Sequence, residues 1–167
     1  LKSGGGTTVR GMLPEMLERG VCVGLGTDAG NNSNILETLR SIYLIAVIYK
    51  DARQDTSMIP VESAIEMATI KGAESLGLRA DIGSIEVGKK ADIVMFDTMR
   101  PEWRTLLNPV NNLVYNADGR SVHTVLVDGK VVVENHEALF VNERKLIEKV
   151  QELGENLLAR TGVSFPS

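Results

Sequence analysis

Histidine is scarce in this chain. Of 167 residues only His123 and His136 are histidines, and both fall near or in one C-terminal stretch. Two imidazoles are too few for a histidine-built metal shell, which needs three or four ligands. Cysteine is scarcer still: Cys22 stands alone, which excludes an internal disulfide. It lies in an apolar run and reads as a small core residue in a reducing compartment, so the expected location is cytoplasmic. Aromatics make up 4% of the chain, with Trp103 the single tryptophan, expected as a packing anchor. No apolar run approaches the ~20 residues that a membrane-spanning helix needs, and no N-terminal signal pattern is present. Clustered positive charge is also missing. The 18 Lys and Arg are interspersed with 22 Asp and Glu for a net charge of −4, which excludes the basic footprint of a nucleic-acid or anionic-membrane binder.

What is present suits a globular protein. A 43% hydrophobic chain of this length can build one core or parts of two. The most informative run is Val21-Cys22-Val23-Gly24-Leu25-Gly26-Thr27-Asp28-Ala29-Gly30-Asn31-Asn32-Ser33. Val21 to Leu25 reads as a strand buried on both faces, and the C-terminal edge of such a strand is the first place a carboxylate can face a cleft. Asp28 stands there. On spacing alone, a turn or helix-cap role for Asp28 is as good a reading. Asn31 and Asn32 either hydrogen-bond a polar heterocycle or only form the turn and cap the next helix.

The wider pattern separates the readings of Asp28. Gly26-Thr27-Asp28 after an apolar run, followed by a Gly/Asn/Ser loop and an amphipathic helix, resembles the last barrel strand of the amidohydrolase superfamily. The likeness is to its cytosine-deaminase, chlorohydrolase and adenosylhomocysteine-deaminase branch. Leu1 to Gly5 resembles the segment after the seventh strand, and Ala64 to Gly77 the helical region after the eighth. Ile82 to Val94 (IGSIEVGKKADIV) is similar to a signature of that family, and Val122 to Val133 (VHTVLVDGKVVV) to its closing hairpin.

The resemblance implies an α/β fold: the C-terminal part of a metal-dependent hydrolase TIM (β/α)8 barrel plus part of a small composite β-sandwich. It implies barrel elements over residues 1–80, sandwich strands over 81–140, and a C-terminal helix and tail over 141–167. The family's His-x-His pair on the first strand, and its histidines on the fifth and sixth, have no counterpart here, and the chain starts at Leu1. The expectation is therefore the C-terminal part of a larger enzyme, inactive alone. In that enzyme a divalent metal, zinc or iron, would be held mainly by histidines outside this chain, with Asp28 as ligand and proton acceptor. Asn31 and Asn32 would be candidate substrate contacts. The reaction implied is hydrolysis of a C–N or C–Cl bond on a purine-, pyrimidine- or triazine-like ring. The metal is not expected to stay on this chain alone. A small heterocycle is the expected partner, without nucleic acid or membrane, and a homo-oligomer the expected assembly. A split-enzyme subunit and a non-enzymatic interaction module are the alternatives.

Element by element, apolar spacing predicts helices over Thr7–Arg19, Ser33–Lys50 and Val61–Lys71. The stripe of the second is Ile35, Leu39, Ile42 and Ala46 with Leu36, Tyr43 and Val47. Short strands are expected at Ile82–Ile85 and Ala91–Phe96. A hairpin is expected over Val122–Glu134, because Asp128-Gly129 suits a tight turn with positive φ. Asn108-Pro109 predicts a short helix through Leu113. Asn142–Arg160, with Leu146, Val150, Leu153 and Leu157 on one face, is expected to be a helix lying against the body of the protein.

Overall fold

The computed structural model of the protein describes residues 11–30 and 35–163. Among them a helical layer precedes a four-stranded antiparallel sheet, a mixed α/β arrangement. The helices are α1 (Leu13–Glu18), α2 (Thr38–Arg53), α3 (Val61–Ala68) and α4 (Ile70–Ser75), with α5 (Pro109–Tyr115) inserted between strands. The sheet runs β1 (Ile93–Phe96), β2 (Val122–Val127), β3 (Lys130–Glu134) and β4 (Glu137–Ala138), each strand beside the next. A long helix, α6 (Glu143–Thr161), closes the chain. No helix among the described residues is long and apolar enough to cross a membrane.

The core lies where α2, α3 and α5 meet. From α2 it takes Ile42, Ile45, Ala46 and Tyr49, an i, i+3, i+4, i+7 set on one face. Val61, Ala64 and Met67 of α3 and Val114 of α5 complete it, with Ile59 at the bend before α3. The expected stripe for this helix had to be corrected. Thr38 rather than Ser33 begins α2, and Leu36 and Tyr43 are exposed, because the faces offered by α3 and α5 select Ile45 and Tyr49 instead. Arg53, near the end of α2, forms an ion pair with Glu15 and donates to Gly11 O (2.9 Å), which ties α1 to α2. The expected first helix is confirmed only from Leu13, with Pro14 in its first turn, and residues 1–10 lie outside the described residues.

Three further expectations were overturned. Val61–Lys71 is not one helix, since Thr69, at φ −125° and ψ −101°, separates α3 from α4. Ile82–Ile85 is a turn, not a strand. Gly83 adopts φ +94° and lies so close to α4 that an added Cβ would stand 2.8 Å from Ala73 Cβ and 2.9 Å from Ile70 Cα. Close packing on a helix, rather than strand pairing, holds this stretch. The third concerns α6, which forms as expected but buries none of its residues. Leu146, Val150, Leu153 and Leu157 are 50%, 60%, 55% and 55% exposed. Its fastenings are at its start, where Asn142 Oδ1 accepts from Lys145 N–H (3.0 Å) and Glu143 accepts from Ala138 N–H (3.0 Å).

The hairpin formed as expected. Asp128 (φ +51°) and Gly129 (φ +77°) join β2 to β3, and Asp92 Oδ1 accepts from Asp128 N–H (2.7 Å). Asp97 at the end of β1 accepts from Met99 N–H (2.8 Å), so both aspartates have the strand-end roles expected of them. Asn108 caps α5 through Asn111 N–H (3.1 Å). Trp103 is buried against Phe96, with ring centroids 5.7 Å apart.

Candidate active site

Asp28 ends a segment that is held by helices rather than by strands. Val21 to Leu25 carries no strand ladder among the described residues, and Val21 and Gly24 are exposed, which corrects the doubly buried strand. A ladder needs a neighbouring strand, and none of the four described strands lies beside this run. Its contacts go to α3 and α4 instead. Leu25 N–H donates to Met67 O (2.8 Å), one of the last carbonyls of α3, which lack partners within the helix. Gly24 lies so near α4 that an added Cβ would meet Ser75 Oγ at 2.6 Å and Gly72 Cα at 3.1 Å. The Cys22 thiol is within 3.5 Å of Lys71 O, in a half-buried position consistent with a packing role. The pairing of Gly24 with Gly72 was missed in reading the sequence. Its only signal was two glycines in segments that periodicity assigned to a strand and a helix end.

From this base the chain turns out to solvent. Asp28 is exposed, with φ +63°, a left-handed conformation that aspartate tolerates better than most residues. Its Oδ1 accepts from Ala29 N–H (2.7 Å), and Thr27 Oγ1 donates to Asp28 O (3.3 Å). The carboxylate therefore does have the local turn role that the sequence allowed. Asn31 and Asn32, the candidate substrate contacts, lie outside the described residues.

Among the described residues, hollows adjoin the helical layer at two places, and Asp28 lines neither of them. An apolar groove of about 790 Å³ runs between helices and sheet, lined by residues such as Leu25, Ile42, Gly83 and Phe96. A smaller one of about 310 Å³ brings Glu37, Arg40, Tyr43 and Asp118 together beside α5. Among the described residues no three His, Cys, Asp or Glu side chains gather as a metal ion would require. Asp28 alone fits one ligand of a shared metal site, not a whole one. The carboxylates held below their usual range lie in structural clamps. Glu15 is lowered by its hydrogen bond from Arg53, and Asp118 by its hydrogen bond from Arg120. Glu102 is lowered by backbone hydrogen bonding and by Ser121.

The chain resembles several enzymes over most of its length. A 5-methylthioadenosine/S-adenosylhomocysteine deaminase of Thermoanaerobacter pseudethanolicus is 39% identical over 148 residues, covering 89% of this chain and 34% of the relative. An S-triazine hydrolase of Gordonia rubripertincta is 36% identical over 156 residues, 91% of this chain and 33% of that protein. Among solved structures, an adenosine deaminase from Xanthomonas campestris with bound zinc superposes with a TM-score of 0.84 at 26% identity. That match covers 88% of this chain and 34% of the other. The zinc complex of an atrazine chlorohydrolase from Arthrobacter aurescens gives 0.77 at 25% identity, covering 84% and 31%. The chain thus spans about a third of the length of the relatives it matches. Residues 7–132 match the model of the amidohydrolase family, and with that match this chain belongs to the family.

Proposed function

We propose that this chain is the C-terminal part of a metal-dependent hydrolase that removes an amino or chloro substituent from a purine-, pyrimidine- or triazine-like ring. The observation that carries the proposal is Asp28. It follows a run braced against α3 and α4, in a chain that is 39% identical to a deaminase across 89% of its length. In this reading residues 1–80 belong to a (β/α)8 barrel, 81–140 to a composite sandwich and 141–167 to a closing helix and tail. The metal, zinc or iron, when bound supplies the acidity of the attacking water. Asp28, which would be one of its ligands, accepts the proton of that water as its oxygen adds to the ring carbon. In a deamination the same carboxylate then returns the proton to the departing amine, the C–N bond breaks and ammonia leaves. In a dechlorination chloride leaves without needing that proton. Asparagine can accept no proton, so the charge of residue 28 matters as much as its shape. Asn31 and Asn32 supply amide donors and acceptors toward the ring. The isolated chain is inactive, and the whole enzyme is a cytoplasmic homo-oligomer acting on a small molecule rather than on nucleic acid or membrane.

The test uses the full-length enzyme that contains this sequence, assayed on deoxyadenosine-type nucleosides and chlorinated or aminated triazines. Asp28→Asn keeps an acceptor for Ala29 N–H and suits the positive φ, so the fold should survive while turnover falls by at least ~10²-fold. Near-normal turnover with unchanged circular dichroism would leave Asp28 only its turn role.

A further inference from the structure

His123 and His136 are unrelated to Asp28 but closely related to each other. His123 lies on β2, and His136 lies in the two-residue turn between β3 and β4. The backbone joins them, with His136 N–H donating to His123 O at 3.1 Å. Their rings meet edge to face, centroids 5.2 Å apart and planes at 73°. Asn135 and His136 both have positive φ, +51° and +69°, an uncommon backbone for two consecutive non-glycine residues.

Each ring has one nitrogen already engaged. His136 Nδ1 is 2.7 Å from Val122 O. A carbonyl can only accept, so Nδ1 carries the proton and Nε2 keeps its lone pair. His123 Nδ1 is 2.8 Å from Thr124 Oγ1, which again leaves Nε2 as the remaining ring nitrogen. The carbonyl fixes the tautomer of His136, whereas the Thr124 hydroxyl, which can donate or accept, orients the His123 ring without fixing its tautomer; holding a ring by its second nitrogen is what orients metal-ligating histidines. The spacing also suits a shared ion. A cation ~2.0 Å from two imidazole nitrogens at a tetrahedral angle sets the ring centres roughly 5 Å apart.

The geometry points to a two-imidazole site on the β2–β3–β4 end of the sheet for a borderline divalent transition cation of the zinc and copper class. No third His, Cys, Asp or Glu joins the pair among the described residues, so water fills the other positions and the ion binds reversibly. Such an ion is removed by dialysis, which distinguishes it from a resident catalytic metal. Magnesium and calcium, which favour oxygen ligands, do not compete, while copper(II) binds more tightly than zinc.

The experiment titrates the full 167-residue chain with zinc chloride and follows the imidazole resonances by NMR. Both histidines should shift together and saturate at one equivalent, and the same titration with magnesium chloride should leave them in place. His136→Asn retains a donor for Val122 O and accepts the positive φ but has no Nε2. It should weaken zinc binding by at least about tenfold while the melting temperature holds. The site is refuted by a zinc dissociation constant weaker than about 1 mM. An unaltered affinity in His136→Asn, or equal shifts with magnesium, refutes it as well.

Discussion

Gly83 and Asp28 both occupy left-handed backbone, for opposite reasons. At Gly83 the absence of a side chain is essential, because α4 fills the space where a Cβ would be. Gly83→Ala combines an unfavourable φ with two contacts under 3.0 Å, neither to a flexible side-chain end. It should destabilise the protein by at least about 1–3 kcal/mol. Thermal unfolding should show a melting temperature several degrees lower, and an unchanged value would mean that the turn relaxes away from α4 at no cost. At Asp28 the side chain itself helps make the turn, through Oδ1 and Ala29 N–H. Turn formation and proton transfer therefore coexist at one residue, and replacement by asparagine separates them.

Among the elements, the docking of α1 depends on charge. The Arg53 guanidinium holds the Glu15 carboxyl below its ordinary value of 4.5 and forms an ion pair between α1 and α2. Glu74 is lowered similarly by Lys71 and Arg79, and Glu102 by backbone hydrogen bonding and Ser121. Each of these folded-state values lies below the unfolded one. Their contributions are therefore complete above about 4.5 and are lost as pH falls through the folded values. Denaturation midpoints should be flat near neutrality and decline at acid pH. Glu15→Gln should reduce that decline and speed amide exchange in α1 at pH 7. Equal acid sensitivity in the variant would remove Glu15 from the account. These groups are half-buried at the surface, so added salt should shrink the effect without abolishing it.

At the scale of the whole molecule, much apolar surface lacks cover. The α6 stripe is half-exposed along its length, and the groove between helices and sheet opens to solvent. Apolar faces of this extent promote association. The isolated chain should sediment as a dimer or larger species at micromolar concentration. Replacing Val150 and Leu153 together by Glu should shift it toward monomer without reducing helix content. A monomeric parent chain in light scattering would show that these surfaces do not drive self-association.

How much of this was legible in the sequence depends on whether the deciding interaction was local. The hairpin, the Asn108 cap of α5 and the helical nature of Glu143–Thr161 were readable, because turn chemistry, capping and periodicity act within a few residues. The motifs carrying the family likeness, with Asp28 among them, were readable for the same reason. Tertiary structure decided what depends on distant partners. It chose Ile45 and Tyr49 as the buried face of α2, made Ile82–Ile85 a turn against α4, and left Val21–Leu25 on helix ends without a ladder. It also brought the two histidines together. Counting back from the Asp128-Gly129 turn would set His123 opposite Glu134, but a bulge pairs Val125 with Val133, and the left-handed turn at Asn135 carries His136 to His123. The α6 stripe shows the division most clearly: amphipathic spacing determines that a helix forms and which face is apolar, but only a complementary surface elsewhere can bury that face.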